Sequence, residues 1–89
     1  MRKLDEKREV LYVIRAMDVL MSSGIGLEAT VHSISQGGYG IISEDFKNMM
    51  EKVRKGGRPL AKEIKALMGK VETEGYRRLL NIMHMNITQ

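Results

Sequence analysis

The sequence predicts an all-α domain: a small bundle of about five helices, built from two similar helix–turn–helix hairpins and a closing helix. The first observation behind this is an internal repeat with an offset of 33 residues, the distance from Gly24 to Gly57. In that register Val13 meets Phe46, Met17 meets Met50 and Leu20 meets Val53. Beyond the glycine, Leu27 meets Leu60, Val31 meets Ile64 and Ile34 meets Leu67. The second observation is the spacing itself, steps of three and four residues in both copies, which is the period of one helical face. The third is punctuation: glycines fall where each periodic run stops, as a helix end requires. A single hairpin cannot cover its own apolar stripe, so the two units, 10–36 and 43–69, are expected to share one core.

The first helix is predicted from about Lys3 to Met21, with residues 1–9 as a charged N-terminal extension of it and residues 10–89 as a single helical domain. Its second half is apolar nearly all round, with Arg15 and Asp18 as the only polar edge, which predicts a place in the middle of the bundle. Gly24 and Gly26 form the structural turn that follows, and Leu27 to Gln36 makes the second helix. Gly37-Gly38-Tyr39-Gly40 breaks the chain. Ser43 is the predicted N-cap of a third helix that runs to about Lys55, with Glu44 and Asp45 in its first turn. Gly57 is the turn of the second hairpin, and Pro59 suits the first position of a fourth helix reaching about Gly69. Thr73 to Ile87 closes the bundle, with Tyr76, Leu79, Leu80, Met83 and Ile87 on one face.

Composition bounds the function. Eighty-nine residues make one domain near the lower size limit for a self-sufficient core. Eight methionines against one phenylalanine describe an adaptable aliphatic core, or one completed by a partner such as a second copy in a homodimer. The lack of cysteine excludes disulfide frameworks and thiolate metal sites. Met1 to Arg8 is a run of charges, unlike a signal peptide, and the longest apolar run, Val10 to Met21, is too short and too interrupted to span a bilayer. The net charge of +4 suits an acidic protein, an anionic leaflet or nucleic acid.

Candidate chemistry is sparse. His32 stands one helical turn from Glu28, but no third ligand follows at a matching interval, so the pair reads as a surface histidine beside a solvated glutamate. His84 has no acidic or nucleophilic neighbour at relay spacing. The glycine stretches lack the Gly-Lys-Ser/Thr ending of a phosphate loop and read as turns. Asp5-Glu6, Glu44-Asp45 and Glu72/Glu74 sit at helix starts or exposed ends, where dipole complementarity accounts for them. With no catalytic constellation, no cofactor motif and no metal ligands, the expectation is a protein that is not an enzyme.

The basic residues are the stronger candidate. Lys52, Arg54, Lys55, Arg58, Lys62 and Lys65 gather round the second hairpin turn, with Arg77 and Arg78 further on. The plainer reading is a solvated face; the functional one is a partner-binding site centred on Lys55, Arg58 and Lys62, for an acidic protein surface or an anionic membrane leaflet. For duplex DNA the segment from Leu27 to Gln36 is wrong, since it carries Glu28 and no arginine or lysine. Single strands would need aromatic platforms that are absent here, so no nucleic acid is expected.

The order of motifs resembles the type II secretion system protein F superfamily, which includes the platform proteins of archaella, archaeal pili and Tad-type pili. Met17 to Ala29 is similar to the opening hairpin of that family, Tyr39 to Phe46 to the linker and third-helix start of archaeal members, and Lys52 to Ile64 to the second hairpin; Tyr76 to Met83 takes the place of the helix that follows. The resemblance covers roughly residues 10 to 87. It implies a non-enzymatic domain on the cytoplasmic face of the cell membrane, within a membrane-embedded platform that couples a secretion ATPase to assembly of pilin-like subunits. Implied partners are the ATPase, the pilin-like subunits through the parent protein, and the anionic inner leaflet. Members carry transmembrane helices after this domain, so the chain is expected to be a soluble piece of such a protein. Alternatives are a free-standing helical adaptor, whose repeat arrays have a similar period but different signatures, and a small basic DNA-binding protein.

Overall fold

Five helices follow one another in the computed structural model, which describes residues 2–88. They are α1 (Arg2–Ser22), α2 (Leu27–Gln36), α3 (Gly40–Arg54), α4 (Leu60–Met68) and α5 (Glu74–Thr88). No strand occurs among the described residues, so the chain is a small all-α bundle.

The internal register is visible in burial. Val13 and Phe46 are both fully buried, as are Val31 and Ile64, and Met17 and Met50 are nearly so. Leu20 and Val53 are both half-buried, and so are Leu27 and Leu60, the residues that open α2 and α4. The match extends to a polar position, since Thr30 and Glu63 are both buried. Tyr76, Leu80 and Met83 of α5 fill the space left between the units.

Gly24 and Gly57 lie at φ +90° and +66°, each in the turn of a hairpin. The two turns close differently. The Ile25 amide donates to the Leu20 carbonyl at 3.2 Å, five residues back, whereas the Arg58 amide donates to the Lys52 carbonyl at 3.3 Å, six residues back. No atom stands within 4 Å of where a Cβ would be at either glycine. Gly24→Ala and Gly57→Ala therefore meet only the backbone penalty of the left-handed region, about 1–2 kcal/mol each. Thermal melts should show a loss of about 4–8 °C per kcal/mol for a domain of this size; unchanged melting in both variants would contradict the turn geometry.

Five expectations are corrected. The third helix starts at Gly40, not after Ser43. Ser43 is buried inside it; its Oγ accepts the Tyr39 amide at 2.7 Å and donates to the Ile34 carbonyl at 2.7 Å, tying α3 to the end of α2. The first turn of α3 holds no acidic residue. Its Ile41 amide donates instead to the Glu9 carboxylate of α1 at 2.9 Å. Next, α1 is not central: one face meets α2, α3 and α5, while Leu11, Tyr12, Ile14 and Val19 are exposed. The neighbouring helices all pack on that one face, which leaves the opposite side of α1 open. Ile87 is likewise exposed near the end of α5. Finally, Glu6 is completely buried and caps a helix other than its own, as described below.

Candidate functional site

The second hairpin turn is built by α3 ending at Arg54, with the Lys55 and Gly56 amides bonding back to Glu51 and Lys52, and by Pro59, which stands extended at φ −64° just before α4 rather than as its expected first residue. The Pro59 carbonyl accepts the Lys62 and Glu63 amides at 3.1 and 3.2 Å. This projects cations outward from both sides of Gly57. Lys55 is exposed and lies 4.0 Å from Glu51. Arg58 approaches Glu63 at 3.7 Å, and that carboxylate is only 7% exposed, so Arg58 supplies charge to a nearly buried acid. Lys62 has no ion pair among the described residues, nor do Lys52, Arg54 and Lys65.

The three proposed docking residues do not form one patch. Arg58 and Lys62 line a shallow depression with Lys65 and, from α5, His84. Lys55 lies on the other side of the turn, where it lines a depression with Arg54, His32 and Glu51. The surface is a basic ridge with two flanks rather than a pocket. Arg77 does not belong to it. Its guanidinium bonds the Met68 and Val71 carbonyls at 3.2 and 2.7 Å and so closes the end of α4. Arg78 lies against the groove between α1 and α5.

A second polar site was not foreseen. The Glu6 carboxylate, on α1, accepts the Glu72 and Thr73 amides, both at 3.0 Å, and the Thr73 hydroxyl at 2.9 Å. Thr73 is the last residue before α5, and its carbonyl accepts the Arg77 amide at 3.1 Å. Glu6 thus occupies the positive end of the α5 dipole. Arg2 balances it at 3.0 Å and reaches Asp45 of α3 at 2.6 Å. The Tyr76 hydroxyl donates to the same Asp45 carboxylate at 2.8 Å. Burial first, then the Asp45 charge and hydrogen bond, push the Tyr76 phenol well above its ordinary value and keep it protonated. The Asp45 hydrogen bond likewise raises Arg2. Each polar group in this network has a partner within the chain, so the network reads as a structural latch.

No group of three or more histidine, aspartate or glutamate side chains among the described residues is placed to hold a metal ion. No helix among them is long and apolar enough to cross a membrane. No family model, curated protein or solved structure matches the chain.

Proposed function

We propose that this chain is a non-catalytic docking domain of a membrane-embedded assembly platform, resembling the cytoplasmic helical domains of the type II secretion system protein F superfamily. What carries the reading is the division of labour among charged residues. Glu6, Asp45 and Arg2 cap and latch helices, whereas around the exposed Gly57 turn Lys52, Arg54, Lys62 and Lys65 stand without an ion pair among the described residues, and Lys55 and Arg58 meet acids only at 4.0 and 3.7 Å. That pattern suits recognition of an acidic protein surface, where charges at a rim speed encounter and tune salt dependence. The partner this reading names is a secretion ATPase, with Lys55 and the Arg58–Lys62 flank contacting acidic residues on either side of the ridge.

The test is a pull-down from machinery containing the ATPase, comparing wild type with a variant carrying Lys55→Glu, Arg58→Gln and Lys62→Glu. Glutamine is chosen at 58 because a carboxylate there would face the nearly buried Glu63. Recovery should fall by about tenfold while the helical circular dichroism spectrum is kept. Equal recovery would reduce the ridge to a solvated face. Sequence-selective retention on duplex DNA would replace the reading with a nucleic-acid one.

A further inference from the structure

Every exposed large apolar side chain among the described residues lies on α1, on the turn after it, or on α5. Leu11, Tyr12 and Val19 are 64%, 60% and 66% exposed, and Leu4 is equally open. At 100° per residue, Leu4 and Leu11 project from the side of α1 opposite Glu6, Val10, Val13 and Met17, which face the core. Tyr12 and Val19 lie on the far flank of the same exposed side, with Arg8 and Arg15 between them and the Leu4–Leu11 pair, and Leu4 to Val19 spans about 22 Å at 1.5 Å per residue. Beside it, Ile14 and Met21 of α1 and Ile82 of α5 line an apolar groove.

Folding also sorts the charges on α1. Residues 2–9 are nearly balanced in sequence, but Glu6 turns inward to α5 and Glu9 to α3, and Arg2 follows them. Lys3, Lys7 and Arg15 stay outside without an ion pair among the described residues, and Arg78 adds a fourth cation at the groove. Arg8 is matched by Asp5 at 2.8 Å. Asp18 lines the groove together with Arg78.

We propose that the outer face of α1, with the adjoining groove against α5, is a lipid-binding surface that lays the domain on an anionic bilayer leaflet. The charge decides the occupant. A second copy would set the same four cations against one another. Anionic phospholipid headgroups neutralise them while Leu4, Leu11, Tyr12, Ile14 and Val19 enter the headgroup–acyl boundary, the mode of an amphipathic helix lying in the interface. Lysine and arginine stems lie along the apolar surface and carry their charges up to the phosphates. This surface is distinct from the Gly57 ridge, and the proposal does not rest on the platform reading.

The experiment is flotation of the full chain with vesicles of phosphatidylcholine and phosphatidylglycerol, against phosphatidylcholine alone. Wild type should float with the anionic vesicles and lose binding at high salt. Leu11→Asp with Val19→Asp should reduce binding by about tenfold or more, and Arg15→Glu with Arg78→Glu should weaken it at low salt. Both pairs are exposed, so the dichroism spectrum should not change. Lys55→Glu with Lys62→Glu should float like wild type. Flotation that survives the Leu11/Val19 change, or is abolished by the Lys55/Lys62 change alone, overturns the proposal. So does failure of wild type to bind anionic vesicles, or a stable dimer in sedimentation that Leu11→Asp dissociates.

Discussion

Replacing Glu6 with alanine is expected to destabilise the domain by about 3 kcal/mol, because each buried donor left without its acceptor costs about 1–3 kcal/mol. The loss has identifiable parts. Two backbone amides and the Thr73 hydroxyl lose their acceptor at the start of α5, and Arg2 loses one of its counter-ions while keeping Asp45 at 2.6 Å. Water cannot reach Glu6 in the folded state, since its side chain is completely buried. Domains have only about 5–15 kcal/mol in hand, so the variant should melt far below wild type and α5 should loosen first. Glu6→Gln keeps an acceptor oxygen and the shape, and should recover part of the loss. Thermal denaturation of the three proteins, with amide exchange at Glu72 and Thr73, checks this; wild-type stability in Glu6→Ala would show that the latch contributes nothing.

Phe46→Ala should cost about 3–5 kcal/mol by leaving a large cavity at a fully buried position. Its repeat counterpart is Val13, also fully buried but smaller, so Val13→Ala should cost less. The contrast matters because the register pairs the two positions as equivalents while the core gives them different volumes. Denaturant titration supplies both values. A negligible loss for Phe46→Ala would contradict its place in the shared core.

Much of the fold is legible in the chain because helical spacing and glycine punctuation act over short distances. Val13, Met17, Val31 and their partners at Phe46, Met50 and Ile64 announce their burial by spacing alone. The misreadings share a cause: each depends on a residue far away in sequence. Glu6 and Glu9 look like solvated charges until α5 and α3 bring unsatisfied amides to them, 67 and 32 positions on. Ser43 looks like an N-cap, yet α3 begins three residues earlier, where Glu9 supplies an acceptor to its first turn. The apolar circumference of α1 reads as burial, and only the packing of α2, α3 and α5 on one face shows that the other side stays open. Arg77 and Arg58 are indistinguishable in sequence from free surface cations, although one closes α4 and the other faces Glu63. The basic ridge at Gly57 is legible as composition, but its division into two flanks is not, because it depends on α2 and α5 standing on opposite sides of the turn.

The most direct measurement is a fluorescence-anisotropy titration of the labelled domain with the purified secretion ATPase across a salt series. The wild type and the Lys55→Glu, Arg58→Gln, Lys62→Glu variant are measured side by side. A docking role for the ridge predicts binding that weakens steadily with salt in the wild type, and weaker binding with a flatter salt dependence in the variant. Identical affinities and identical salt slopes for the two proteins would contradict it.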